Sequence, residues 1–295
     1  MIGPEQGFLL LTSHLGCPER KPLTVAQFRE LTKLARQMER PLEDKDLTSE
    51  DLISVGVRPD FAWRVKSLLD EEELLSRYLR RGEELFCYPV TRLNDLYPDT
   101  VRKKLGMEAP GCLWAKGDIS ALMQPMISLV GSRQLRGENR AFAEELGKQA
   151  ALQGYTLVSG NARGADQAAQ DSCLEHGGMV ISVVADALGA QSLKERMLYL
   201  SEEDYDQEFS AQRALSRNRI IHALGEKTFV AQCTLGKGGT WDGTMRNLKG
   251  GWSPVFCFRD GSPAIAELTQ MGADGVDISA LKDISGIKPT IISMN

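Results

Sequence analysis

Three consecutive residues near the middle of the chain, Gly131-Ser132-Arg133, have the properties of an anion-binding turn. They follow the apolar run Met126–Val130, which is typical of a buried strand, and a helical pattern begins a few residues later. Glycine has no Cβ, so Gly131 lets the backbone turn tightly and approach a ligand closely. Ser132, Arg133 and the free N–H groups at the start of the next helix would then surround an anion. The pattern predicts a phosphate site, for a nucleic acid or a nucleotide.

Three further segments suit the same chemistry. Residues 160–166 (Gly-Asn-Ala-Arg-Gly-Ala-Asp) and 236–240 (Gly-Lys-Gly-Gly-Thr) are glycine-rich turns between a predicted strand and a predicted helix. Residues 217–219 (Arg-Asn-Arg) fall in the first turn of a predicted helix, and arginine donors match phosphate oxygens in bidentate fashion. We expect Asp166 to cap a helix or to order its loop rather than to react.

From residue 126 onwards, apolar runs alternate with helical patterns, which predicts a doubly wound parallel α/β sheet. In such sheets ligands bind at the carboxyl ends of strands, near a topological switch point, and the loops at 131–133 and 160–166 both follow strands. The acidic stretch 191–209 is predicted to be an exposed, partly helical excursion, and the tail after 275 to be short and weakly ordered. The predicted strands are 127–130, 156–159, 179–184, 228–231 and 254–258.

The first part of the chain has a different pattern. Residues 1–84 are predicted to form a small helical domain, with Thr24 capping one helix and Gly56 and Pro59 turning the chain after another. This outline fits a helix-hairpin-helix or SAM-like module, and it also fits a purely structural helical domain. Residues 85–295 would form the α/β domain, whose first part contains short strands near 85–88 and 111–117.

Composition limits the possible functions. The 295-residue chain carries a net charge of −5, so a nucleic-acid surface must be a local patch of arginine and lysine on an acidic body. Its six cysteines are scattered and form no CxxC pair, which favours reduced thiols in a cytoplasm over a zinc site or a disulfide framework. No apolar run approaches the roughly 20 residues that a membrane span needs, and no basic segment precedes the short run Phe8–Leu11.

Familiar catalytic and cofactor motifs are not found in the sequence. The glycines match neither the dinucleotide pattern G-x-G-x-x-G nor the P-loop pattern G-x-x-x-x-G-K-[ST], which argues against NAD enzymes and P-loop NTPases. The three histidines, His14, His176 and His222, lie far apart, and no set of residues resembles a metal site. We therefore predict no catalytic residue, no metal and no cofactor.

Taken together and in order, the motifs resemble those of the DprA/Smf family of DNA-processing proteins. The resemblance covers roughly residues 90 to 275. Its motifs are Tyr97-Pro98, Leu113-Trp-Ala-Lys-Gly117, Gly131-Ser-Arg133, Ser159-Gly-Asn-Ala-Arg-Gly-Ala-Asp166, His176-Gly-Gly178 and Ser216-Arg-Asn-Arg-Ile-Ile221.

This resemblance implies an extended Rossmann-like fold that binds single-stranded DNA, forms homodimers and loads the recombinase RecA during natural transformation. By match to the motifs, Ser132 and Arg133 would hold phosphate, and Arg163, Arg217 and Arg219 would line the same groove. The full predicted set is Gly131, Ser132, Arg133, Ser159, Gly160, Arg163, Gly164, Asp166, Arg217, Asn218, Arg219, Lys237, Gly238, Gly239 and Thr240.

One segment departs from that family and leaves an alternative open. The stretch Gly236–Asp242 partly resembles the P-G-G-x-G-T-x-x-E loop of LOG-type nucleotide phosphoribohydrolases, without the expected glutamate. In such an enzyme, Asp242 with Arg133 or Arg219 would polarise an N-glycosidic bond. A non-catalytic nucleotide sensor using the same loop is the other alternative.

Overall fold

The computed structural model describes residues 3–38 and 47–290, and it contains a mixed sheet flanked by helices on both faces. The strands are β1 Cys87–Thr91, β2 Cys112–Gly117, β3 Met126–Val130, β4 Thr156–Ser159, β5 Val180–Val183, β6 Met197–Ser201, β7 Thr228–Val230, β8 Val255–Phe258 and β9 Asp274–Val276.

The order of the strands, β1-β2-β6-β5-β4-β3-β7-β8-β9, defines where a ligand site can form. Strands β3 to β9 are all parallel, whereas β1 and β2 add to β6 as an antiparallel pair at one edge. From β3 the chain moves outward through β4, β5 and β6, then returns to β7 on the other side of β3 and continues to β8 and β9. The switch point therefore lies between β3 and β7.

The central strands are apolar along their whole length because helices cover both faces of the sheet. In β3, Leu129 packs into one core and Val130 into the other, and all five residues of the strand are buried. The first core includes Phe142 from the helix that follows β3, and the second includes Ile220 from the helix before β7. This double burial explains why short apolar runs sufficed to predict β3, β4, β5, β7 and β8.

Twelve α-helices lie within the described ranges. Thr24 and Thr48 each begin a helix with a capping box, in which the cap hydroxyl and the side chain three residues later exchange hydrogen bonds with the backbone. The helices are α1 Pro4–Thr12, α2 Val25–Ala35, α3 Ser49–Ser54, α4 Pro59–Leu69, α5 Glu72–Glu84, α6 Asp99–Leu105, α7 Gly137–Leu152, α8 Ala165–Glu175, α9 Ala211–Ser216, α10 Asn218–Leu224, α11 Gly238–Gly250 and α12 Pro263–Gln270.

Helices α1 to α4 enclose a small apolar cluster of their own, while α1 and α5 contribute side chains to one core of the sheet. Tyr78 of α5 stacks on Tyr205 with ring centroids 4.5 Å apart and meets the edge of Trp114 of β2 at 5.7 Å. Helix α5 ends at Glu84, and β1 begins three residues later. The division into domains at residue 84 stays a prediction.

The prediction of an exposed, partly helical segment over 191–209 was wrong. This stretch contains β6, all five of whose residues are buried between β5 and β2. The run Met-Leu-Tyr-Leu-Ser is short, and the acids on both sides of it hid its strand character. A long acidic stretch thus encloses one buried strand, whose carboxyl end reaches the same edge of the sheet as β3, β4 and β5.

The tail after residue 275 is also more ordered than the sequence predicted. A 3-10 helix spans Ile278–Asp283, and the side chains of Leu281 and Ile284 are fully buried. The side chain of Gln153, at the end of α7, binds the backbone of both residues, at 2.8 Å in each case. The tail is short and has only a weak apolar pattern, so the sequence did not reveal that tertiary contacts hold it in place.

None of the helices in the described ranges combines the length and the apolar composition that crossing a membrane requires.

Gly147→Ala is expected to lower the free energy of unfolding by about 1–3 kcal/mol, the usual cost of overpacking a core. Gly147 is buried in α7, and a Cβ added there would collide with the carbonyl oxygen of Ala169 in α8. Chemical denaturation measures the change. Gly137→Ala in the same helix is the control, because a Cβ there meets nothing within 4 Å. Equal stability of the two variants would contradict the close contact between α7 and α8.

Candidate functional site

Three loops meet at the carboxyl edge of the sheet beside the switch point. The first loop (131–136) follows β3, the second loop (160–164) follows β4, and the third loop (231–237) follows β7. Because β4, β3 and β7 are parallel neighbours, their loops emerge side by side. The topology thus brings together the glycine-rich segments that lie far apart in the sequence.

Glycines join the first and second loops by letting their backbones touch. A Cβ at Gly131 would collide with the Cβ of Ala165, and one at Gly164 would lie 2.5 Å from the carbonyl oxygens of Ser132 and Arg133. Gly164 also has a φ of +88°, which favours glycine. The amide of Ala165 donates to the carbonyl of Ser132 at 3.1 Å. The immediate reason for Gly131 is therefore the packing of α8 against the first loop.

The third loop fixes the first loop from the other side. The side chain of Gln232 accepts from the amide of Arg136 at 2.9 Å and donates to the carbonyl of Gln134 at 3.0 Å. The hydroxyl of Thr240, in the first turn of α11, donates to the carbonyl of Gly131 at 2.9 Å. Helix α7 begins only at Gly137, so Ser132 and Arg133 lie in a clamped loop ahead of that helix. The expected participation of the amides of α7 stays a prediction.

Arg217 lies at the joint between α9 and α10, and only 9% of its surface is exposed. Its guanidinium occupies the space that a Cβ of Gly160 would need, so it covers the start of the second loop. Within the described ranges, Nε and Nη1 of Arg217 are buried and have no hydrogen-bond partner. Burial lowers the pKa of Arg217, while Asp166 and Asp186 oppose this effect. The site therefore holds a buried cation with unused donors.

Asp166 is the carboxylate in this cluster, with only 7% of its surface exposed. Its Oδ2 accepts from the amide of Ala162 at 3.3 Å, which closes the second loop over the first turn of α8. Burial raises the pKa of Asp166 to about 6, although the positive charges of Arg217 and Arg133 pull it down. The contact with the loop agrees with the structural role expected from the sequence.

Several of the other predicted residues support the three loops. The hydroxyl of Ser159 is buried and accepts from Gln170 of α8 at 2.6 Å. The amide of Asn218 donates to the carbonyl of Gly239 at 3.0 Å and so holds the start of α11. Gly238 has a φ of +86° and is the first residue of α11. These contacts position the loops and leave the exposed side chains free to meet a ligand.

The exposed cations with no hydrogen-bond or ion-pair partner among the described residues are Arg133 in the first loop, Arg163 in the second and Lys237 in the third, whereas the exposed Arg136 of the first loop pairs with Asp260. Arg219 also differs from these three, since its guanidinium pairs with the carboxylate of Glu202 and donates to the carbonyl of Glu108 at 2.7 Å. The Nε atom of Arg219 is buried and has no hydrogen-bond partner in the described part of the chain. Its predicted place in the groove is untested, and its contacts lie with β6 and the segment before β2.

Sequence reasoning missed three residues of the site. Gln232 had no motif around it, and only the fold brings its side chain to the first loop. Asp186 and Glu202 follow β5 and β6 and act electrostatically on Arg217. Glu202 lies in the stretch that was predicted to be an exposed excursion. Recognising β6 in the sequence would have placed Glu202 at the carboxyl edge of the sheet, where the three loops lie.

Within the described ranges, no group of three or more His, Cys, Asp or Glu residues is arranged to hold a metal ion. Asp242, the acid considered for a nucleotide hydrolase, is exposed in the second turn of α11.

The parallel sheet, its switch point and the clamped loops define an extended Rossmann-like α/β protein with a candidate anion site at its carboxyl edge. More specifically, the model of the family DNA recombination-mediator protein A matches residues 89–245, which is more than half of the chain. The chain belongs to this family.

Two relatives show how far the sequence similarity extends. Protein Smf of Escherichia coli (strain K12) is 32% identical over 144 residues, which cover 44% of this chain and 37% of Smf. DNA processing protein DprA of Streptococcus pneumoniae (strain ATCC BAA-255 / R6) is 29% identical over 160 residues, 50% of this chain and 54% of that protein. The matches thus span about a third to a half of the length of these relatives.

Solved structures show the same fold over a longer stretch. The X-ray structure of DNA processing protein A from Streptococcus pneumoniae has a TM-score of 0.70 at 24% identity and covers 91% of this chain and 95% of its own. The structure of DNA processing protein A from Helicobacter pylori, described for its single-stranded DNA binding mode, has a TM-score of 0.54 at 23% identity. It covers 67% of this chain and 94% of its own.

Asp166→Asn is expected to change how stability depends on pH. Because the pKa of Asp166 is about 6 in the fold against an ordinary 3.8, the folded protein binds this proton more tightly than the unfolded chain. Stability from this group is present below about pH 4 and is lost as the pH rises to about 6. A pKa difference of about two corresponds to about 3 kcal/mol. The difference in free energy of unfolding, variant minus wild type, should therefore increase by up to about 3 kcal/mol as the pH rises from about 4 to about 7.

Urea denaturation across this range measures the effect. Asp171→Asn, which removes an exposed carboxylate from the same helix, is the matched control for the loss of one negative charge. Parallel stability curves for the wild type and Asp166→Asn would show that Asp166 is ionised as easily in the fold as in the unfolded chain.

Proposed function

We propose that the three loops at the switch point bind the phosphate backbone of single-stranded DNA. The observation that carries this proposal is the buried guanidinium of Arg217, whose Nε and Nη1 lack partners among the described residues. Buried polar groups in native proteins are almost always hydrogen-bonded, so unused donors on a buried cation indicate an anionic ligand. The charges of Asp166 and Asp186 raise the pKa of Arg217 against the effect of burial, and neither carboxylate accepts a hydrogen bond from those two donors.

A polymer suits this arrangement better than a single phosphate does. Arg133, Arg163 and Lys237 are exposed on three different loops around the buried Arg217. Cations on separate loops can meet successive phosphates, and phosphate contacts carry no base sequence by themselves. We therefore propose binding that does not depend on sequence, on a local basic patch of an otherwise acidic chain.

The biological role in this proposal rests on the family. Membership in the DNA recombination-mediator family, and the single-stranded DNA binding described for the relative from Helicobacter pylori, support a role in DNA processing. We include in the proposal a homodimer that loads RecA on incoming DNA in the cytoplasm, with residues 1–84 as a separate helical domain. The proposed cytoplasmic location rests on the scattered positions of the six cysteines, a pattern that favours reduced thiols.

The proposal assigns no catalytic step. In the alternative of a nucleotide phosphoribohydrolase, Asp242 would act with Arg133 or Arg219. Arg219 pairs with Glu202 and donates to the carbonyl of Glu108, while its Nε is buried without a hydrogen-bond partner among the described residues. Release of a free base from a nucleoside monophosphate is the result that would favour the enzyme.

Arg133→Ala is expected to weaken binding of single-stranded oligonucleotides by about 10- to 150-fold, whatever their base sequence. It removes one charge-assisted contact, worth roughly 1.5–3 kcal/mol, and should lower the slope of log K against log salt by about 0.7. Fluorescence anisotropy over a range of salt concentrations measures both quantities. Arg196→Ala is the control, because Arg196 is exposed just before β6, at the opposite edge of the sheet. No binding by the wild type at low salt, together with release of free base, would overturn the proposal.

Arg217→Lys tests the buried donors separately from charge. Lysine keeps the positive charge but loses the fork of N–H groups, so affinity should fall about tenfold or more while the salt slope changes little. The same anisotropy titration measures this variant, and thermal unfolding checks that it remains folded. Wild-type affinity in a folded Arg217→Lys protein would mean that the guanidinium does not contact phosphate.

A further inference from the structure

A cavity of about 1230 Å³, separate from the three loops, lies between the N-terminal helices and the segment that precedes β2. Its wall includes Phe8 of α1, Phe28 of α2 and Trp114 of β2. The rings of Phe8 and Phe28 meet edge to face with centroids 5.1 Å apart. Small-molecule pockets commonly measure about 300–1,000 Å³, so this cavity has room for a larger ligand.

One rim of the cavity is basic. Arg29 and Lys33 of α2 and Arg36, which follows its last residue, are spaced four and three residues apart. Because the backbone of Arg36 is still helical, the three residues lie on one side of the helix. At about 1.5 Å per residue, the three cations are spread over roughly 10 Å. Lys33 and Arg36 are exposed, and their side chains make no hydrogen bond or ion pair with another described residue.

The opposite wall carries charges of both signs. Arg92 and Arg102 line it together with Glu202, Glu203 and Asp204. The lining as a whole therefore holds five arginines and lysines against three carboxylates, in a chain whose net charge is −5. A local excess of cations around a largely apolar cavity favours a ligand that is both anionic and apolar.

The wall of the cavity also contains a buried polar atom without a partner, on Glu202. Its side chain is only 7% exposed, and one oxygen pairs with Arg219. The other oxygen, Oε1, is buried and has no hydrogen-bond partner in the described part of the chain. Nε of Arg219, in the same ion pair, is likewise buried without a partner, so the pair leaves one acceptor and one donor unused. Nucleobase edges carry both donors and acceptors, whereas a phosphate or a carboxylate alone offers only acceptors.

Glu202 also links the cavity to the three loops. It lines the cavity, it pairs with Arg219, and its charge acts on Arg217. The cavity and the loops at the switch point therefore meet at one carboxylate. A strand with phosphates and bases has the chemistry to occupy both sites.

We propose that the cavity is an accessory site for the same single strand, with phosphates on the α2 rim and bases on the apolar wall. This inference depends on the proposed function for the identity of the ligand. Aromatic and apolar walls beside cations are the usual means of binding single-stranded nucleic acid without reading its sequence. The N-terminal helices then extend the length of strand that one molecule covers.

Lys33→Gln/Arg36→Gln tests the accessory site without touching the loops. Anisotropy titrations use a short oligonucleotide of about six bases and a long one of about 24, since site sizes of this kind range over roughly 4–16 nucleotides. The affinity for the short strand should stay within about twofold of the wild type. The affinity for the long strand should fall about tenfold, with a salt slope lower by about 1.4 for two lost cations.

Arg77→Gln/Arg80→Gln is the matched control. These arginines are exposed on α5 with the same spacing of three residues, and they do not line the cavity. An equal loss of long-strand affinity in both double variants, or no loss in either, would overturn the accessory site. Failure of the proposed function is distinct, because the wild type would then not bind even the short strand.

Discussion

The burial of the Arg217 guanidinium is the interaction on which the rest of the candidate site depends. A cation out of water is costly unless carboxylates compensate it, and here Asp166, in the first turn of α8, and Asp186, just after β5, do so. The guanidinium fits only because residue 160 has no Cβ. Three features therefore form one unit: a glycine after β4, a carboxylate in the first turn of α8 and an arginine between α9 and α10. In the sequence, Gly160 and Arg217 are 57 positions apart.

Much of the fold could be predicted from the sequence because the central strands are covered on both faces. Each of these strands is a short, continuous apolar run, and a glycine-rich turn follows β3, β4 and β7. Local patterns of this kind do not depend on distant contacts, so β3 to β5, β7 and β8 were confirmed close to their predicted bounds. The same reasoning placed the loops at the carboxyl edge, because parallel strands must present that edge together.

The remaining features depend on contacts that a sequence pattern does not show. Strand β6 is a five-residue run inside an acidic stretch, and it is fixed by pairing with β5 and β2. Gln232 is an ordinary polar residue until the fold brings its amide to the backbone of the first loop. Arg219 fits the predicted motif as well as Arg217 does, and only the fold shows that it pairs with Glu202, just after the strand that the sequence did not reveal. Here tertiary geometry decides the role and the residue type does not.

Strand β6 also explains how an acidic protein can gather arginines at one edge of its sheet. Arg133 and Arg217 lie close enough for one to lower the pKa of the other, so their proximity has an electrostatic cost. The carboxyl ends of β5 and β6 bring Asp186 and Glu202 to the same edge, and the attraction of these carboxylates offsets that repulsion. The acids that lower the net charge of the chain are therefore part of what stabilises its basic site. Net charge by itself is a poor guide to whether such a chain binds a polyanion, because the relevant balance is local.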